Sequence, residues 1–187
     1  MHSLVWPSTA HVRSFLASQA AAPFTYSAVG ATATGAYPPG FDVDHRRTEI
    51  GVGADCFRRA CDALRSWRQF DLGWVRAEPT DTPLAVDALV AVTARFAGVC
   101  TTNAARIVYV VDEPNRFGFA YGTLPRHVEA GEERFLIEQV DGRVYYDILA
   151  FSRPRHVLAR LGYLLMRRLQ KRFGRDSAAM MRRAATS

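Results

Sequence analysis

The sequence predicts an α+β domain in which a curved antiparallel sheet of about six to seven strands wraps a long C-terminal helix. Three observations predict it. From Leu89 to Phe151 the chain passes through consecutive β-rich segments with short connections and no helical pattern between them. That order argues against a parallel sheet, whose strands need long crossovers, and leaves a meander. One connection, Asp141-Gly142, has the composition of a two-residue hairpin turn, with glycine supplying the positive φ. After Pro154, Leu158, Leu161, Leu165, Leu169, Phe173 and Met180 recur at helical spacing. An antiparallel sheet with one apolar face needs such a stripe as its cover.

In chain order, Ser8 or Thr9 can cap a short helix that reaches about Ala21, with Val12, Phe15 and Leu16 on one face. Pro23 ends it. Phe24 to Gly40 is rich in Gly, Ala, Thr and Pro and reads as an extended arm anchored by Phe24, Tyr26 and Val29. Residues 1–40 are therefore expected to be a helix and arm laid on a domain of residues 41–187. Phe41 to Gly51 reads as a strand. Ala54 to Phe70 reads as a helix with Phe57, Ala60, Cys61, Leu64 and Trp67 on one face, and Gly73 to about Ala77 as a second strand. Leu89 to Phe96, Arg106 to Val111, Phe117 to Thr123, Glu133 to Val140 and Arg143 to Phe151 complete the sheet. The last helix, Arg155 to Ala184, spans about 45 Å at 1.5 Å per residue, enough to cross a sheet.

Bulk properties narrow the class. A chain of 187 residues, 49% hydrophobic and 22% charged, can bury a core without disulfides or metal. It has no apolar run of about 18 residues that could span a membrane. Arg13 and Gln19 interrupt the first 23 residues, so no secretory signal is expected. Cys56, Cys61 and Cys100 are odd in number and lack Cys-x-x-Cys spacing, as expected of reduced cysteines in a cytoplasmic protein. Nine basic residues and one acid between Arg155 and Arg183 carry +8 of a total of +6, leaving −2 for the rest. The basic character thus belongs to the last helix. His2, His11, His45, His127 and His156 are scattered, and no metal site is expected. Gly51-Val52-Gly53 lacks the third glycine and the Gly-Lys-Ser/Thr ending of phosphate loops, and no Gly-x-Ser-x-Gly elbow occurs, so no cofactor is expected.

Several motifs stand out. They are the stretch Arg106-Ile107-Val108-Tyr109-Val110-Val111-Asp112-Glu113-Pro114, then Arg116-Phe117-Gly118-Phe119-Ala120-Tyr121-Gly122-Thr123-Leu124-Pro125, then Gly131-Glu132-Glu133-Arg134-Phe135 and Phe151-Ser152-Arg153-Pro154. With Phe24-Thr25-Tyr26 and Pro38-Pro39-Gly40 upstream, the chain resembles the bacterial and plant family catalogued as domain of unknown function nineteen-ninety, over about Phe24 to Ala184. That resemblance implies no established activity. The element order also resembles the START-like, or SRPBCC, helix-grip superfamily, whose members bind lipids, sterols, polyketides and other apolar molecules. The likeness implies a hydrophobic cavity between sheet and C-terminal helix.

Three functional readings follow. In the first, the domain binds a small hydrophobic or amphipathic ligand between sheet and helix, with Tyr109, Phe119, Tyr121, Thr123, Phe135, Tyr145, Phe151 and Leu165 as ligand-binding residues. The same aromatic side chains could instead fill the gap completely. In the second, the polar segment from Tyr121 to Glu133 forms a loop at the rim, and His127 with Glu132 or Glu133 acts as acid and base on such a ligand. In the third, the basic helix docks on an anionic membrane surface. Its apolar face is committed to the sheet and no aromatics interleave its arginines, so nucleic acid is not an expected partner.

Overall fold

Alternation of large and small residues builds the most buried strand. In β6 (Arg116–Thr123), Phe117, Phe119 and Tyr121 point to the concave side, and Gly118, Ala120 and Gly122 to the convex side. The small side is required by close approach. A Cβ on Gly118 would lie 2.2 Å from the Phe135 carbonyl oxygen, and one on Gly122 2.2 Å from the Tyr26 hydroxyl. The sheet can therefore curl tightly here and accept a covering segment.

The computed structural model describes residues 1–155 and 163–186. Its elements are β1 (His2–Ser3), α1 (Thr9–Ala17), α2 (Ala31–Thr34), β2 (Asp42–Val52), α3 (Gly53–Arg65), a 3-10 turn (Arg68–Phe70), β3 (Val75–Glu78), β4 (Leu89–Phe96), β5 (Val99–Glu113), β6, β7 (Glu129–Val140), β8 (Arg143–Pro154) and α4 (Tyr163–Thr186). All strand pairs are antiparallel. The order across the sheet is β2-β8-β7-β6-β5-β4-β3, with β1 paired to β5. The predicted curved antiparallel sheet and long C-terminal helix are what the chain forms. Asp141 and Gly142 turn between β7 and β8 with φ of 49° and 76°.

Two strands begin well before the residue pattern predicts. β5 begins at Val99, although residues 100–105 are small or polar, because β4 pairs along one edge and β1 pairs His2 with Thr101 on the other. β7 begins at Glu129, so the predicted rim loop shrinks to residues 124–128. The predicted helix at Ala54 to Phe70 breaks after Arg65, where Trp67 takes a left-handed φ of 57° and the 3-10 turn follows.

α3, the 3-10 turn and α4 pack on the concave face. At one end they close a dense aromatic core. Trp67 meets Phe119 at 4.9 Å between ring centres, Phe70 meets Phe135 at 5.3 Å, and the Tyr146 hydroxyl reaches Ser177 Oγ at 2.9 Å. The buried face of α4 is Gly174, Ser177, Ala178, Met181 and Ala185. All but Met181 are small, which lets the helix approach β2 and α3 closely. Leu158 and Leu161 of the predicted stripe lie outside the described residues.

The N-terminal segment lies on the convex face. Ser8 caps α1 by accepting from the His11 backbone N–H, and Val12 and Leu16 pack on Ala91, Ala104 and Leu124. Further on, Tyr26, Tyr37 and Phe41 surround Phe151. Val29, an expected anchor, is 46% exposed.

Candidate ligand cavity

The concave side chains change in size along the sheet. At the closed end stand Phe119, Phe135 and Tyr146, fully buried. Toward the other end the same sheet presents Ala94 from β4, Thr101 from β5 and Ala150 from β8, all only partly buried. Core volume runs out while α4 continues. The result is a mostly apolar cavity of about 1040 Å³ between the sheet and residues 165–174 of α4. Leu165, Leu169 and Phe173 of the predicted stripe line this space.

Within it lies a polar patch carried by neighbouring strands. Tyr121 and Glu133 are register partners, and the Tyr121 hydroxyl donates to Glu133 Oε2 at 2.6 Å. Burial pushes the Glu133 carboxyl up to about 7, nearby Glu129 and Asp44 add to the rise, and the tyrosine hydrogen bond opposes it. Glu129, two residues toward the strand start from Gly131 and on the same face, is also raised, first by burial. Gln170 Nε2 donates to it at 2.9 Å. Asp44 is clamped by Arg167, whose Nη2 lies 2.7 Å from Asp44 Oδ1. His127 Nδ1 accepts from the Glu129 backbone N–H at 3.1 Å, which assigns the neutral ring's proton to Nε2. Burial first, then Arg155 and the chain's amino terminus, pushes this imidazole down to about 4.

Of the residues singled out from sequence, Tyr121, Thr123, His127, Glu132, Glu133, Phe151 and Leu165 border the cavity, Glu132 and Phe151 with their side chains turned to the convex face. Phe119 and Phe135 instead fill the closed core. Tyr109 is corrected to the convex side, where its hydroxyl lies 2.8 Å from Thr32 Oγ1. A β-bulge between Ile107 and Tyr109 adds one residue and reverses the alternation. Tyr145 is corrected likewise, and Phe151 borders the cavity but turns its ring the other way. Tyr146 and Ile148 face inward, so Tyr145 turns out beneath Arg47 and Phe151 packs under the arm. Asp147, on their parity, was the available signal. Glu129, Asp44, Arg167 and Gln170 were missed because three separate elements bring them together.

Glu132 is corrected as a partner for His127. Because β7 already runs at this point, Glu132 and Glu133 point to opposite faces. Glu132 is buried under the arm. It accepts from the Tyr26 hydroxyl at 2.8 Å, the Gly30 and Thr32 backbone N–H groups at 2.7 and 3.0 Å, and Thr32 Oγ1 at 2.5 Å. Arg134 extends the network, donating to Thr32 O at 3.1 Å and to Asp147 at 2.8 Å. This carboxylate anchors the arm.

Several basic residues of α4 also have internal partners. Arg167 pairs with Asp44, Arg172 with Asp176, and Arg182 donates to Glu49 O at 2.5 Å. Among the described residues no cluster of three His, Cys, Asp or Glu is placed to hold a metal, and no helix is long and apolar enough to cross a membrane.

An antiparallel sheet curled about a C-terminal helix, with a cavity left between them, is the helix-grip fold. The chain belongs to the family described as "Domain of unknown function (DUF1990)", which matches residues 25–180. Relatives called UPF0548 protein are 41% identical in Dictyostelium discoideum, over 79% of this chain and 74% of that one, and 34% identical in Deinococcus radiodurans, over 96% of each. Among solved structures, TTHA0849 from Thermus thermophilus superposes with a TM-score of 0.57 at 11% identity, covering 77% of this chain and 97% of that one. Ara h 8.0201 gives 0.51 at 11% identity, covering 76% and 98%. At such identities the likeness speaks for the fold alone.

Proposed function

We propose that the protein binds a small hydrophobic or amphipathic molecule in the cavity between the concave face and α4. The observation that carries this reading is the cavity itself: about 1040 Å³, mostly apolar, beside a core that is otherwise tightly filled. Small-molecule pockets run to roughly 1,000 Å³. An apolar space of this size leaves its lining without dispersion partners, and an apolar guest restores them. Tyr121 and Glu133 would orient the guest's polar end.

Decan-1-ol titrated by calorimetry tests the reading. Wild-type protein is expected to bind it at one site. Ala150→Trp, which fills the cavity from β8, is expected to weaken binding at least tenfold while keeping the circular dichroism of the wild type. Absence of binding to the wild type, or undiminished binding to the variant, contradicts the reading.

A second reading, acid–base chemistry on the bound molecule, is favoured by the Glu133 carboxyl, which burial holds near neutral pH. Glu133 would be the proton carrier, and Tyr121 would position it.

A further inference from the structure

The polar patch bears on what kind of amphipathic molecule the cavity takes. This question rests on the reading of the cavity as a ligand site. Among the described residues Glu133 has one hydrogen-bond donor, the Tyr121 hydroxyl, and that donor is neutral. Glu129 is held by Gln170, also neutral. The positive charge that acts on Glu129 is Arg167, and Asp44 already engages it. Arg46 and Lys171 also border the cavity, yet neither pairs with Glu129 or Glu133 among the described residues. Among the described residues, two carboxyls therefore face an apolar space on one strand, and the cation that acts on Glu129, Arg167, is shared with Asp44.

A carboxylate taken out of water without a counter-charge is costly, and a guest that brings the missing cation recovers much of that cost. A guest carboxylate would instead meet like charge. Apolar groups on the opposite side, Leu169 and Phe173 of α4 with Val92 of β4, suit a hydrocarbon body. We infer that the cavity selects an amphipathic amine, its ammonium group seated on Glu133 and Glu129 and its chain running along α4.

Facing Glu133 are Tyr121 from β6, Tyr146 from β8, Glu129 from its own strand and Asp44 from β2. The tyrosines are raised well above their ordinary range by burial, so they remain neutral at the pH values used below. Glu133, pushed up to about 7, changes charge there, and Glu129 is raised in the same direction.

Decylamine, decan-1-ol and decanoate share a chain and differ in the head group. At pH 8 wild-type protein is expected to bind decylamine at least tenfold more tightly than decan-1-ol, and decanoate most weakly. Glu133→Gln should lower the amine affinity at least tenfold more than it lowers the affinity for decan-1-ol. In the wild type, which needs no folded variant, amine affinity should rise as pH increases through about 7 while alcohol affinity stays flat. Equal binding of amine and alcohol, a preference for decanoate, or a Glu133→Gln effect equal on all three overturns the amine assignment and leaves the cavity reading standing. Failure of all three to bind overturns both.

Discussion

Glu132→Ala is expected to destabilise the protein by about 4 kcal/mol, and Glu132→Gln by about 2–3 kcal/mol. Four donors from the arm converge on this buried carboxylate. Hydrogen bonds to a charged acceptor contribute roughly 1.5–3 kcal/mol each, and donors left buried without an acceptor carry their full desolvation cost. Glutamine keeps one acceptor oxygen but turns an NH₂ group toward two of the donors. At about 2–4 °C per kcal/mol for a domain of this size, the alanine variant should melt roughly 8–16 °C lower. The loss should be local before it is global: residues 24–40 should become cleavable by protease under conditions in which β4–β8 survive. Calorimetry with limited proteolysis checks this. A variant that melts within about 2 °C of wild type, its arm still protected, would show that the aromatic contacts with Phe151 suffice to hold the arm.

Glu133→Gln is expected to act in the opposite direction above neutral pH, with stability rising by about 2–3 kcal/mol at pH 8. The folded protein holds the Glu133 proton more tightly than the unfolded chain does, with a value of about 7 against an ordinary 4.5. Its contribution is therefore fully present below 4.5 and is lost as pH rises through about 7. His127 runs the other way. Its folded value is about 4 against an ordinary 6.5, so its contribution is present above 6.5 and is lost as pH falls through about 4. Between these limits the two titrations oppose each other. The wild type should consequently show little pH dependence from this pair, and the glutamine variant should gain stability as pH rises from 4 to 7. Urea unfolding at pH steps across that range measures it. Parallel profiles for the two proteins would mean that Glu133 is not strained by the fold.

Such a gain on removing a half-buried acid would be the behaviour of a site kept for binding at the expense of stability. Glu132 and Glu133 thus make a controlled comparison. They are adjacent in sequence and share a strand, yet one has four donors and the other a single neutral partner.

That comparison also marks where the sequence stopped being legible. The curved meander and its helix could be read from the Asp141-Gly142 turn, the alternation in residues 117–123 and the apolar stripe after Pro154, because each is a local signal of period or turn chemistry. The face of each strand was harder. One bulged residue at Val108 exchanged inside for outside at Tyr109, and pairing with β8 extended β7 back to Glu129 through a segment that reads as loop. Both are decided by neighbouring strands and leave no mark on the segment itself. The cavity was legible only in part. Its aromatic end was evident, but its existence depends on Ala94 and Ala150 standing opposite residues 165–174 of α4, a non-local coincidence. The pairing of Arg167 with Asp44 spans 123 residues and has no local signature.

Methyl chemical-shift mapping with decylamine and decan-1-ol tests the central claim most directly. Saturable shifts confined to Val92, Ala94, Ile148, Ala150, Leu165 and Leu169 are expected, with Val12, Leu16 and Leu124 on the convex side unmoved. Shifts scattered over exposed methyls such as Leu4, Val5 and Val86, or no saturable shift at all, would contradict it.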